Sequence, residues 1–192
     1  TSGSTWHAAG LCTQMNSSWN MMGLLKYSLE LYNALEAETG QAVDFHQTGS
    51  LRIATNPDRM DEFEHRKGIA ATLGVPFEII TPDQARRLFP FASFDDALGV
   101  AHILTDGYVD SSAVTHALAK GATDRGAKIY RQTRVTGIER DGDRWRVETS
   151  QGEIRAEVVV NAAGQWARQV GRLVGLELPI VPVEHHYLIT EP

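Results

Sequence analysis

Val158-Val-Val-Asn-Ala-Ala-Gly164 carries an apolar run into a turn of small residues, and a helical pattern follows from Gln165 to Val174. A strand that is apolar on both faces is covered on both, as strands of a parallel sheet are. Strand, tight turn and helix in this order occur at the ligand edge of doubly wound sheets, where glycine permits close approach of a helix or a ligand. The same small residues also serve plain packing, and no GxGxxG occurs anywhere in the chain. The stretch therefore decides a fold class before it decides a site.

Working outward, the preceding residues read as a β-meander. Strands are expected at Lys128–Tyr130, Arg134–Arg140 and Arg144–Thr149, with Asp141-Gly142 as a hairpin signal, and a further strand follows the Gln151-Gly152 turn to Val160. Val183–Thr190 reads as a last strand. Towards the N-terminus, a helix is expected over about Ser17–Thr39. Met21, Leu24, Leu25, Ser28, Leu31, Tyr32 and Leu35 form its apolar face, Asn16, Ser17 or Ser18 its cap and Gly40 its stop. Strands at Thr48–Thr55, Phe77–Ile80 and Leu98–Leu104 alternate with helices from Pro57 to Leu73, from the Thr81-Pro-Asp-Gln84 capping box to Pro90, and from Asp110 or Ser111 to Arg125. The class is α/β or α+β: a parallel sheet near Val158 and a separate, mostly antiparallel sheet.

The 192 residues are 42% hydrophobic and 22% charged. A chain of this size buries ~70% of its unfolded surface and needs no covalent staple. With 18 Lys+Arg against 24 Asp+Glu, the formal charge is −6. That balance, with no basic block, excludes nucleic acid as a partner. No run approaches the ~18 apolar residues of a membrane span. One cysteine, Cys12, rules out an internal disulfide.

Three segments can carry chemistry. Thr1-Ser-Gly-Ser-Thr-Trp-His-Ala-Ala-Gly10 sets one imidazole, His7, among residues with little bulk, where a flat ligand can approach the backbone; a lone loop histidine is more often an ordinary hydrogen-bonded residue. The second segment is Val158–Gly164. In the third, Val183-Glu-His-His-Tyr-Leu-Ile-Thr190, strand periodicity puts His185 and Tyr187 on one face and His186 on the other. The two histidines cannot then share a metal, and His185 with Tyr187 makes either a pocket wall or a structural pair. His46, His65, His102 and His116 have no partner at metal-ligand spacing, and Ser111-Ser112 lies in no nucleophile elbow.

Together, Thr1–Leu11, Glu36-Ala-Glu-Thr-Gly-Gln41, Phe45-His-Gln-Thr-Gly-Ser-Leu51, Asn161-Ala-Ala-Gly-Gln-Trp-Ala167 and Val183-Glu-His-His-Tyr187 resemble the dimethylglycine/sarcosine dehydrogenase group of FAD-dependent, D-amino-acid-oxidase-like oxidoreductases. The resemblance runs end to end, with the dimethylglycine branch the nearer. It implies FAD joined covalently through His7. The backbone of Gly3, Ser4, Thr5, Trp6, Ala8, Ala9, Gly10 and Leu11 would line the cofactor, Val135 would meet adenine, and Ala163, Gly164 and Trp166 would flank the second side. His185 would face the substrate as the catalytic residue, and no metal is implied.

The resemblance further implies oxidation of an N-methyl group on a small glycine-type amine, by hydride transfer to the flavin. A partial FAD-binding domain would take 1–40 and 106–175, and a partial substrate domain 41–105 and 176–192. The chain would be an internal fragment, lacking the family's N-terminal GxGxxG turn and so binding FAD poorly when isolated. An electron-acceptor protein is a partner the family allows, and tetrahydrofolate would belong to a domain beyond this stretch. The bacterial cytoplasm or the mitochondrial matrix is the implied compartment, with the cytoplasm favoured. Two competitors stand beside this reading: a non-covalent flavin oxidase of another amine or amino acid, and a non-catalytic regulatory relative.

Overall fold

The computed structural model describes residues 3–184 and residue 186. The chain forms two compact units, Thr1–Lys128 and Ile129–Pro192.

In the first unit, β1 (Leu11–Cys12) precedes α1 (Trp19–Thr39). Ser18 caps α1, its side chain accepting from the Met21 amide, and Gly40 ends it in the left-handed conformation at φ 68°. Then follow β2 (Ser50–Ala54), α2 (Pro57–Leu73), β3 (Phe77–Ile80), α3 (Pro82–Leu88), β4 (Gly99–Ile103), β5 (Gly107–Tyr108) and α4 (Ser111–Asp124). Thr81 and Gln84 form the expected reciprocal capping box on α3, Asp110 caps α4 as expected, and α2 begins at Pro57 with Asn56, not singled out from the sequence, as its cap.

β2, β4 and β3 form an antiparallel sheet with β4 in the centre. Ala101 and Ile103 of β4 join Met22, Phe63, Ala70 and Phe77 in one cluster, whereas Val100 joins Ile80, Ala85 and Phe94 in another. The central strand is thus buried on both faces, by α2 on one and by α3 with the segment after it on the other. A third cluster, Leu35, Val43, Val109, Val114 and Ala117, holds α1 against α4.

In the second unit, β6 (Val135–Asp141), β7 (Arg144–Thr149) and β8 (Gly152–Ala156) form the expected antiparallel meander, with Ile138 and Val147 buried. A 3-10 turn, Gly164–Trp166, leads into α5 (Ala167–Arg172), so the helix expected from Gln165 is shorter and starts later.

Several expectations are corrected. The C-terminal half of the expected α1 face is borne out, with Leu35 buried and Leu31 and Tyr32 packed beside it; in the N-terminal half Met22 and Leu29 are buried instead, and Met21 and Leu24 are 44% and 58% exposed. Apolar residues nearly encircle this helix, and only its packing against α2 and α4 selects the buried stripe. Lys128–Tyr130 forms no strand. Neither do Val158–Val160: Val158 and Val160 are 74% and 81% exposed, because an extended segment becomes a strand only with a hydrogen-bonding neighbour and the described residues provide none. Every strand pairing among the described residues is antiparallel, so the parallel sheet expected near Val158 is not among them. Val183 and Glu184 lie in no strand, and the rest of the expected last strand, beyond residue 186, falls outside the described residues.

Candidate functional site

The segment around His7 is a series of turns beginning at Gly3, whose φ is 62°. The His7 amide reaches the Gly3 carbonyl at 3.3 Å, the Ala8 amide reaches the Thr5 carbonyl at 3.3 Å, and His7 Nδ1 lies 3.0 Å from the same Gly3 oxygen. A carbonyl only accepts, so Nδ1 carries the proton and a neutral ring keeps its lone pair on Nε2. Trp6 meets the imidazole edge to face, with centroids 4.6 Å apart and planes at 89°. Ser4, Thr5, Trp6, His7, Ala8 and Ala9 are all exposed within this unit.

The loop runs directly into a firm anchor. Gly10 has φ 72° and sits so close to β5 that a Cβ built on it would lie 2.0 Å from the Val109 carbonyl oxygen. Its own carbonyl accepts from the Val109 amide at 2.9 Å. Leu11 and Cys12 then pair with Tyr108 and Gly107. Two residues further on, the fully buried Asp106 carboxylate accepts the Gln14 amide at 2.9 Å and the Gln14 side-chain amide at 3.1 Å on one oxygen, and the Ser50 hydroxyl at 2.6 Å on the other. Burial, and then the negative charge of Asp106, raise the Cys12 thiol above its ordinary pKa. A sequence reading takes Asp106-Gly107 as a turn and misses this network, because its partners lie 92 and 56 residues away along the chain.

In the second unit, Arg134, Val135, Thr136, Trp166, Gln169, Val170 and Leu173 line a cavity of about 650 Å³. That is within the ~300–1,000 Å³ of small-molecule sites. Two of the residues named from the sequence, Val135 and Trp166, are brought together here. β6 is an edge strand with a bulge between Val135 and Gly137, so Val135 begins a strand whose outer backbone groups have no neighbouring strand among the described residues. An aromatic face, an open strand edge and aliphatic walls suit the stacking and main-chain contacts of a flat heterocycle. Ala163 and Gly164 sit in the turn that delivers Trp166, and nothing stands within 4 Å of a Cβ placed on Gly164.

His7 with Gly3 to Leu11 therefore belongs to the first unit, and Val135, Ala163, Gly164 and Trp166 to the second. His185 and Tyr187 lie outside the described residues, while His186 is exposed. His46, for which the sequence offers no partner at metal-ligand spacing, has its Nε2 2.8 Å from Asp44 Oδ1 and its ring stacked on Tyr108 at 4.8 Å. The Asp44-x-His46 spacing was the available signal. No cluster that could hold a metal ion exists among the described residues, and none of their helices is long and apolar enough to cross a membrane.

Rat mitochondrial dimethylglycine dehydrogenase is 43% identical to this chain over 191 residues, covering 99% of this chain and 22% of the relative. Human mitochondrial sarcosine dehydrogenase is 36% identical over 198 residues, covering 100% and 22%. The chain thus spans under a quarter of the length of these relatives. Among solved structures, L-proline dehydrogenase from P. horikoshii superimposes with a TM-score of 0.85 at 29% identity, covering 94% of this chain and 48% of that one. The family described as FAD dependent oxidoreductase matches residues 1–192; the whole of this chain belongs to that family.

Proposed function

We propose that this chain is part of an enzyme that oxidatively demethylates a small N-methylated amine of the dimethylglycine or sarcosine kind, with FAD attached through His7. The observation that carries the reading is the state of the His7 ring: Nδ1 is committed to the Gly3 carbonyl, leaving Nε2 exposed with its lone pair in a loop of small residues. A neutral ring nitrogen of this kind would be the nucleophile for attachment at the flavin 8α carbon, where a C–H bond would give up its proton, the electron pair would stay on the flavin and the electron acceptor of the full-length protein would then remove it. The amides of Gly3, Ser4, Thr5, Trp6, Ala8, Ala9, Gly10 and Leu11 would hold the isoalloxazine and pyrophosphate. Val135 would meet adenine, for which the cavity it shares with Trp166 beside β6 is large enough, and Ala163, Gly164 and Trp166 would flank the cofactor on its second side.

Bound FAD supplies a two-electron acceptor for a hydride from the N-methyl carbon, and the resulting iminium takes up water to give the demethylated amine and formaldehyde. His185 would keep the amine neutral and oriented, since an ammonium has no lone pair to stabilise the forming iminium. In this reading residues 1–40 and 106–175 serve the cofactor and residues 41–105 and 176–192 the substrate. Re-oxidation by a carrier protein, transfer of the one-carbon unit to tetrahydrofolate and residence in cytoplasm or mitochondrial matrix are parts of the same proposal for the full-length protein. The names of two similar proteins, dimethylglycine and sarcosine dehydrogenase, support the substrate class.

The test is anaerobic mixing of the flavin-loaded full-length protein with dimethylglycine or sarcosine. Bleaching of the flavin absorbance with formaldehyde in equal amount is expected. Bleaching only by an unmethylated amino acid would replace the substrate assignment, and no bleaching by any amine would support a non-catalytic relative.

A further inference from the structure

A buried carboxylate that, among the described residues, meets no cation and is satisfied by neutral donors from distant segments is a costly feature unless it holds something in place. Asp106 is such a group: it is 0% exposed and the only fully buried charged residue among those described. Its two oxygens divide their partners by region. Oδ1 takes both donors of Gln14, on the segment that follows the His7 loop, and Oδ2 takes Ser50 Oγ at the start of β2. Two further bonds fasten the same junction, from Gln14 Nε2 to Thr105 Oγ1 at 2.6 Å and from the Gly49 amide to the Asp106 carbonyl at 2.8 Å. Upstream, the β1–β5 pairing and the Gly10–Val109 contact transmit this fixed position to within three residues of His7. Between Gly3 and Ala8, by contrast, the backbone bonds from His7 to Gly3 and from Ala8 to Thr5 are both internal to the loop and long, at 3.3 Å.

We propose that Asp106 is a positioning residue for the His7 loop, acting through Gln14 and β1 to set where the imidazole stands when flavin becomes attached. The proposal rests on the flavin-attachment reading for its consequence, but the positioning is a property of this chain alone. Covalent attachment needs Nε2 held near the reacting methyl carbon, and an unanchored loop would lose that pre-organisation. The negative charge is not itself required. An asparagine can turn its oxygen to both Gln14 donors and its amide to Ser50 Oγ, which accepts as well as donates.

The experiment compares full-length protein carrying Asp106→Ala, Gln14→Ala or Asp106→Asn with the unaltered protein. Amide hydrogen exchange is read over residues 8–14 and, as a reference, over 135–156; the fraction of flavin that stays with acid-precipitated protein is read alongside. Asp106→Ala is expected to lose about tenfold or more of the protection over 8–14, and Gln14→Ala, which keeps its backbone amide bond to Asp106 Oδ1 and loses only its side-chain bonds, a smaller part of it, while 135–156 keeps its own in both. The acid-stable flavin fraction should fall with it, and Asp106→Asn should stay close to the unaltered protein in both readouts. Should Asp106→Ala fail to fold, Gln14→Ala decides: it leaves the carboxylate with its Ser50 and Gln14 backbone bonds and removes only the Gln14 side-chain bonds to Asp106 and Thr105, so a loss of protection confined to 8–14 is still expected. Unchanged protection over 8–14, or an equal loss over both regions, overturns the proposal. If the unaltered protein holds no acid-stable flavin, the attachment reading falls and the exchange comparison still decides the role of Asp106.

Discussion

At Gly10 one missing side chain sets how the N-terminal loop joins the rest of its unit. Its φ of 72° disfavours any L side chain, and the Val109 carbonyl oxygen occupies the place where a Cβ would stand. Gly10→Ala therefore has to break the close approach of the loop to β5 or carry both strains. A loss of ~2–4 kcal/mol of unfolding free energy is expected, read by denaturant titration. Little of this could be read from the sequence: a glycine after two alanines looks like a loop residue, and the oxygen that makes it obligatory is 99 positions further along (109 − 10). The same holds for Asp106. His7, in contrast, could be named from its neighbours, because the Ser-Thr-Trp-His segment is contiguous; its hydrogen bond to Gly3 spans only four positions.

Among the elements, what could be read locally was read well. Caps and stops involve residues three or four apart, so Thr81, Gln84 and Asp110 announced their helices, Pro57 the start of α2 and Gly40 the end of α1. Thr81→Ala removes the acceptor for the Gln84 amide and should cost about 1 kcal/mol, again by denaturant titration. Elements that depend on distant partners were not legible. The three valines at 158–160 satisfy strand chemistry but meet no strand, and the buried stripe of α1 was set by its neighbours rather than by its own periodicity.

After α5, Glu177 is held by Arg172 and Arg168, with bonds of 2.9 Å from both Arg172 nitrogens and 2.6 Å from Arg168 Nε. Chiefly the hydrogen bonds from Arg172, then those from Arg168, lower its carboxyl to about 2. A pKa depressed on folding adds stability that is complete above the unfolded value of ~4.3 and is lost as pH falls through the folded value. The clamp should therefore weaken between about pH 4.5 and 2, and less markedly at high salt because the groups are exposed. Carboxyl chemical shifts followed through an acid titration would show the midpoint near 2, rising in Arg172→Gln.

For the whole molecule, the sequence order predicted mixed helix and sheet and the family match bears that out, while the described pairings are antiparallel throughout. The candidate cofactor residues fall in two units, His7 with its loop in one and Val135 with Trp166 in the other. The most direct test of the flavin-attachment reading is mass spectrometry of the peptide containing His7, prepared from the full-length protein under denaturing conditions. The account predicts that this peptide carries the added mass of FAD, with fragmentation assigning it to the imidazole. An unmodified His7 peptide, with all the flavin released into the denaturing supernatant, would contradict it.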